Sequence, residues 1–187
     1  MMTDKENEMA TEKLVSVQVN GETCKATVPA CRTLLEMLRE LGHAEVKCGC
    51  EKGDCGACAV LLDGKVVDSC LTLAWHADGH SVTTAQGLGG PNNPHPLQTA
   101  FIEHGSAQCG YCTPGMIMAA KALLDDIPDP SLEDIKRGLS GNLCRCTGYT
   151  RIFSAIHAAA QALQQQGAQV LSFQVRPCTV EPHRPHR

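Results

Sequence analysis

The sequence of 187 residues carries a formal net charge of −4 and only 3% aromatic side chains. A chain of this length forms one large domain or two small ones, and it buries roughly 70% of the surface that it exposes when unfolded. Its charge argues against nucleic acid as the main partner. No apolar run approaches the roughly 18 residues of a membrane span.

Twelve cysteines are the most informative feature of the composition. Residues 1–8 are charged and acidic, without the apolar segment or the arginine pair that export signals carry. We therefore expect a cytoplasmic protein. In a reducing compartment, clustered cysteines bind metals more often than they form disulfides.

The chain begins with a polar stretch, residues 1–12, that predicts a flexible arm. Apolar and polar side chains then alternate over residues 14–20, and a second strand is predicted over residues 22–28. Asn20-Gly21 between these segments favours a tight turn with positive φ angles. The pattern predicts a β-hairpin.

A helix and a second hairpin complete the first half. Thr33 predicts the N-cap of a helix over residues 34–41, which Gly42 ends. The later elements are a loop rich in glycine and cysteine, a hairpin, a helical turn and a last strand, at residues 47–58, 59–68, 71–77 and 81–84. Two strands followed by a helix open the β-grasp, the fold of plant-type ferredoxins, and we place that domain at residues 13–87.

The composition changes at a glycine- and proline-rich linker over residues 88–94. Beyond it the periodicity predicts helices at residues 96–104, 114–124, 131–139 and 150–165. Thr113 followed by Pro114 predicts an N-cap with proline at the first helical position. Ser131 followed by Asp134 resembles a capping box at the start of the third of these helices. The predicted fold class is α+β, with a C-terminal four-helix bundle over residues 95–166. Residues 167–187 predict an extended tail, either disordered or lying along a partner subunit.

The first half contains four cysteines with the spacing of an iron–sulfur site: Cys50, Cys55, Cys58 and Cys70. The first three form C-x4-C-x2-C, which matches plant-type 2Fe–2S proteins. Three thiolates must converge from one short loop, and its glycines let backbone N–H groups approach the sulfurs. A zinc site, which usually has two C-x2-C pairs, is the alternative. Cys48, two residues before Cys50, is either a competing ligand or, as we interpret it, a neighbour of this set.

The second half contains another four cysteines, in a spacing that is not plant-type: Cys109, Cys112, Cys144 and Cys146. They form one C-x2-C pair and one C-x-C pair, which indicates one site with four thiolates. Cys112 immediately precedes a predicted helix, whose N-terminus stabilises an anionic cluster by about 0.3–1 kcal/mol. On spacing alone, zinc with four thiolate ligands stays open here.

Three motifs together carry a family resemblance: GCEKGDCGAC at residues 49–58, QCGYCTPGM at 108–116 and GNLCRCTGY at 141–149. In this order they closely resemble the small iron–sulfur subunit of the molybdenum hydroxylases. That family includes xanthine dehydrogenase, aldehyde oxidoreductase, carbon monoxide dehydrogenase and the nicotinate and isoquinoline hydroxylases. The resemblance covers residues 13–165.

The resemblance implies an electron relay with no catalytic site on this chain. The eight cysteines named above would hold two 2Fe–2S clusters. Electrons would come from a molybdopterin dinucleotide cofactor on a large partner subunit, pass through the helical-domain cluster and then the plant-type cluster, and usually end on FAD in a medium subunit. Gln108 is carried over as a candidate pterin contact, with an ordinary polar loop residue as the alternative. The competing functions are a free two-cluster ferredoxin shuttle and a zinc-stabilised interaction module.

Overall fold

The computed structural model describes residues 11–166, and within them the fold mixes strands and helices, as predicted. The strands are β1 (Glu12–Val19), β2 (Glu22–Pro29), β3 (Ala59–Leu62), β4 (Lys65–Asp68) and β5 (Ser81–Thr83). The helices are α1 (Leu34–Glu40), α2 (Ala85–Leu88), α3 (Pro96–Glu103), α4 (Thr113–Asp126), α5 (Leu132–Gly138) and α6 (Thr150–Gln166), with a 3-10 turn at Ala74–Ala77. In this part of the chain, no helix combines the length and the apolar character needed to cross a bilayer.

Two of the predicted segments fall partly or wholly outside the described residues. The predicted tail, residues 167–187, lies outside them, as do residues 1–10 of the predicted arm. The arm was predicted to reach residue 12, which is wrong at its end, because Glu12 already belongs to β1. Its backbone pairs there with Pro29 of β2.

The strands form one β-grasp-like sheet in the order β2-β1-β5-β3-β4. β1 pairs antiparallel with β2 and parallel with β5, and β3 pairs antiparallel with both β4 and β5. Both predicted hairpins are present. Asn20-Gly21 and Asp63-Gly64 connect their strands with positive φ at all four residues, which is the conformation that tight two-residue turns require.

The sheet separates two apolar cores, and β3 contributes to both. Val60 belongs to the core that contains β1 and α1. Its neighbours Ala59 and Leu61 belong to the core built from α3, α4, α5 and α6. Because successive side chains of a strand point to opposite faces, β3 is buried on both sides. The cysteine-rich loop that leads into β3 therefore ends at the strand that both cores cover.

The single tryptophan, Trp75, packs against the first core, which is the one that contains β1 and α1. Its indole Nε1 donates to the carbonyl oxygen of Val28 at 3.1 Å, and Lys13 Nζ lies 6.0 Å from the ring centroid. Both partners belong to the first hairpin, so Trp75 fixes the 3-10 turn to that hairpin.

Caps were predicted at three helix starts, and one of them is wrong. Thr33 and Ser131 each form a capping box, at the starts of α1 and α5. Thr113 is not the N-cap of α4, because the helix already includes it and Cys112 occupies the cap position without a side-chain capping bond. The Cys112 thiol instead hydrogen-bonds Cys144. Residues 85–88, predicted as the end of one domain and the beginning of the linker, form the short helix α2.

Ser131→Ala is expected to lower the free energy of unfolding by about 1 kcal/mol, the usual cost of losing a helix cap. Ser131 Oγ accepts from the backbone N–H of Asp134 at 3.2 Å, and Asp134 Oδ2 accepts from the backbone N–H of Ser131 at 3.0 Å. Urea unfolding of the full chain measures the change. Ser154→Ala is the control, because its exposed hydroxyl only donates to Thr150 within α6. Equal effects of the two variants would contradict the capping role.

Candidate metal centres

The eight predicted ligand cysteines lie in four close pairs. Cys146 Sγ donates to Cys109 Sγ at 3.6 Å. The other thiols that hydrogen-bond each other are Cys55 with Cys50, Cys58 with Cys70, and Cys112 with Cys144. Each predicted set therefore contains two pairs, and no pair mixes the two sets.

The first set lies on a loop whose backbone turns sharply around the thiols. Glu51, Gly53 and Gly56 all have positive φ angles, between 54° and 77°. The backbone N–H of Lys52 donates to Cys50 Sγ at 3.4 Å. A Cβ atom on Gly49 would lie only 2.7 Å from Cys55 Sγ, so the backbone approaches the sulfur more closely than any side chain would allow.

The second set joins the loop before α4 to the loop before α6. Cys112 and Cys144 are half-buried, whereas Cys109 and Cys146 are exposed. The Thr147 hydroxyl donates to Cys144 Sγ at 3.2 Å. This set therefore has an inner pair that packs against the helical core and an outer pair at the surface.

Two of the pairs join a more acidic thiol to a less acidic one. The pKa of Cys50 is lowered to about 7, mainly by a hydrogen bond from the backbone N–H of Lys52 and next by one from the Cys55 thiol. Burial raises the pKa of Cys55. Burial also opposes ionisation of Cys144, but hydrogen bonds from the following turn outweigh it and lower the pKa to about 7. The pKa of Cys112 is raised to about 12, mainly by burial and next by the hydrogen bond to Cys144. Hydrogen bonds to sulfur favour the thiolate, the form that binds metals.

The number of thiols in each set fits a metal site with four thiolates. A zinc site would need four thiolates around one ion. A 2Fe–2S cluster has two irons held by four thiolates, and two pairs of thiols in each set match that requirement.

Three further residues of the cysteine loops have distinct surroundings. The Cys48 thiol donates to Glu51 Oε1 at 3.1 Å and joins none of the four pairs. Gln108 is exposed in the bend before Cys109. Arg145, between two cysteines of the second set, is also exposed.

Sequence reasoning missed the contacts between the two loops. The Tyr111 hydroxyl donates to the carbonyl oxygen of Cys48, 63 residues away. Asn142 and Tyr149 also form hydrogen bonds around the second set. All three residues belong to the motifs that carry the family resemblance, and this membership was the signal available in the sequence. The spacing of the motifs could not show which residues they contact.

Two family models cover most of the described residues. A 2Fe-2S iron-sulfur cluster binding domain matches residues 17–84, and a 2Fe-2S binding domain matches residues 84–157. The nicotinate dehydrogenase small FeS subunit of Eubacterium barkeri is 46% identical over 148 residues, which are 79% of this chain and 94% of that protein. The chain belongs to the family of molybdenum hydroxylase small iron–sulfur subunits.

Other family members agree in sequence and in structure. The xanthine dehydrogenase iron-sulfur-binding subunit of Escherichia coli O157:H7 is 42% identical, over 76% of this chain and 91% of that protein. The structure of quinoline 2-oxidoreductase from Pseudomonas putida 86 matches with a TM-score of 0.79 and 41% identity, over 82% of this chain and 97% of that one.

One structural match is part of a much longer chain. The aldehyde oxidoreductase from Desulfovibrio desulfuricans matches with a TM-score of 0.80 and 45% identity, over 83% of this chain but only 18% of that one. The same arrangement therefore occurs in this family both as a separate chain and as one piece of a longer polypeptide.

Proposed function

We propose that this chain is the electron-transfer subunit of a molybdenum hydroxylase complex and that it holds two 2Fe–2S clusters. The observation that carries the proposal is the arrangement of eight thiols in four close pairs, two in each predicted set. Each 2Fe–2S cluster, when bound, accepts and releases one electron at a time. The substrate-converting site belongs to the partner, since none of the motifs found here supplies a nucleophile or a base.

The ligand sets are Cys50, Cys55, Cys58 and Cys70 for the first cluster, and Cys109, Cys112, Cys144 and Cys146 for the second. The backbone N–H of Lys52 and the hydroxyl of Thr147 stabilise negative charge on sulfur in the two sets. Because charge on sulfur shifts the reduction potential, these donors adjust the driving force for each transfer.

The proposed direction of transfer is supported by the exposure of the cysteines and by the family resemblance. Cys109 and Cys146 are exposed, so this edge can face a large subunit that carries molybdopterin in its dinucleotide form. Gln108 lies next to Cys109 and is exposed, which supports its role as a candidate pterin contact. Electrons then leave through the Cys50–Cys70 set towards FAD on a medium subunit.

The proposal also includes the limits of the two domains and the cellular location of the complex. We infer a β-grasp domain over residues 13–87, a linker over residues 88–94 and a helical domain over residues 95–166. A four-helix bundle of α3, α4, α5 and α6 is supported by their shared apolar core. We propose a cytoplasmic location for the complex.

The test is to purify the full chain anaerobically, together with whatever associates with it. We expect a red-brown protein with about four irons per chain and two distinguishable EPR signals after reduction, because two 2Fe–2S clusters contain four irons. A large molybdenum-containing subunit should co-purify. Colourless protein with zinc would contradict the relay, and an isolated chain that turns over in an electron-transfer assay would favour the free ferredoxin shuttle.

A further inference from the structure

Two side chains, His95 and Gln98, hold the predicted linker to α3. His95 is the N-cap of α3, and its imidazole Nδ1 accepts from the backbone N–H of Leu97 at 3.2 Å. Gln98 Oε1 accepts from the backbone N–H of His95 at 2.8 Å. Together these bonds form a capping box in which a histidine occupies the position that serine, threonine, aspartate or asparagine usually takes. A titratable ring therefore closes this end of α3.

The Gln98 amide also reaches across the linker to the preceding helix. Its Nε2 donates to the carbonyl oxygens of Ala85 at 2.9 Å and of Gly89 at 3.2 Å. A Cβ atom on Gly89 would lie 2.5 Å from the His95 backbone nitrogen and 2.7 Å from Gln98 Oε1, so the linker backbone packs directly on the cap. We call the hydrogen bonds of His95 and Gln98 the linker latch, because they tie α2, which follows the last strand, to the start of α3.

The linker latch is compatible with only one protonation state of His95. A backbone N–H can only donate, so the Nδ1 atom that accepts from Leu97 has to carry a lone pair, and the proton of the neutral ring lies on Nε2. A protonated imidazole donates from both nitrogens and has no acceptor left. Protonation therefore turns Nδ1 and the Leu97 amide into two donors that face each other, and the cap is lost.

The surroundings of the half-buried His95 ring favour its neutral form. The pKa of His95 is lowered, mainly by burial and next by the positive charge of Lys121, whereas Asp125 acts in the opposite direction. Both charged groups belong to α4 and pair with each other. Because the pKa of the folded state lies below the ordinary value of about 6.5, the unfolded chain binds the proton first. The latch thus stabilises the fold fully above that pH, and its contribution is lost as the pH falls through the two pKa values.

We propose that His95 makes the linker latch a pH-sensitive device, in which the neutral ring keeps the linker and the first turn of α3 closed and the protonated ring releases both. Release also weakens the bond to Gln98 Oε1, because the donor of that bond is the His95 backbone, which moves with the cap. The linker is then no longer held to α3. The latch includes none of the eight cysteines, so it stands apart from the proposed function.

The same substitution at the two ends of α3 tests the device. His95→Asn replaces the ring by an amide that caps helices well and does not titrate. His104→Asn is the matched control, because the His104 side chain is exposed and its backbone N–H makes the bonds at the end of α3. Gln98→Ala opens the latch without changing the ring. Hydrogen exchange over residues 89–98 of each full-length chain is measured by mass spectrometry at about pH 7.5 and about pH 5, on either side of the ordinary histidine pKa.

At the higher pH we expect the native chain and both asparagine variants to exchange alike, and Gln98→Ala about tenfold faster, as loss of a stabilising hydrogen bond allows. At the lower pH the native chain and His104→Asn should exchange about tenfold faster than His95→Asn. In the native chain, nitrogen NMR of His95 should show the ring proton on Nε2 at neutral pH. A proton on Nδ1 would overturn the proposal, as would equal exchange of the native chain and His95→Asn at the lower pH.

Discussion

A Cys112→Ser chain is expected to hold about two irons in place of about four, because it should lose the second cluster and keep the first. Cys112 is half-buried at the start of α4 and hydrogen-bonds Cys144, so serine would leave the inner pair with one thiol. In the assembled complex, reduction of the first cluster by substrate should slow at least about 100-fold, since disturbing even the surroundings of metal ligands costs 10–100-fold in activity.

Three experiments measure these effects: iron analysis, EPR, and rapid mixing of the complex with an aldehyde, a purine and nicotinate in turn. Cys31→Ser is the matched control, because Cys31 is exposed and outside both predicted sets. It should retain both EPR signals. Loss of the plant-type signal in Cys112→Ser, with the other signal intact, would mean that the eight cysteines are assigned to the wrong clusters.

Gly115→Ala is expected to destabilise the protein by at least about 2 kcal/mol, although alanine is the better helix former. Helix propensity alone would favour alanine by about 1 kcal/mol. However, the new Cβ atom would lie 2.2 Å from the Gly56 carbonyl oxygen and 3.2 Å from the Ala57 Cα atom. These are backbone atoms of the first cysteine loop, so α4 and that loop would have to separate, and overpacking of this kind costs about 1–3 kcal/mol or more.

Thermal unfolding should show the melting temperature of Gly115→Ala lowered by roughly 4–8 °C for a chain of this size. Gly141→Ala provides the comparison, because a Cβ atom there meets nothing within 4 Å. It should unfold close to the native temperature. If both variants melted together, α4 would not pack against the loop as the structure shows.

Local signals in the sequence predicted most of the individual elements. Asn20-Gly21 and Asp63-Gly64 fixed both hairpins, since few other residue pairs adopt two consecutive positive φ angles without strain. Thr33 marked one helix start as an N-cap, and Ser131 marked another through a capping box. The start of α4 was predicted one residue late, because Thr-Pro is also compatible with positions inside the first turn.

Contacts between distant segments could not be predicted in the same way. The bond from Asn142 to Gly56 joins residues 86 positions apart, and the pairing of β1 with β5 joins the two ends of the β-grasp half. Such contacts depend on how the two cores pack around β3, which periodicity does not encode. Spacing and the family resemblance predicted the eight cysteines as ligands, but their grouping into four pairs became visible only in three dimensions.

The position of Trp75 gives this protein a natural optical probe. It is the only tryptophan in the sequence. Its ring packs on the first core, and its indole N–H donates a hydrogen bond to the Val28 carbonyl oxygen. Both tyrosines, Tyr111 and Tyr149, lie beyond residue 88, in the helical half. Indole fluorescence therefore reports on the β-grasp half alone, so the order in which the two halves lose their structure can be followed without attaching a dye.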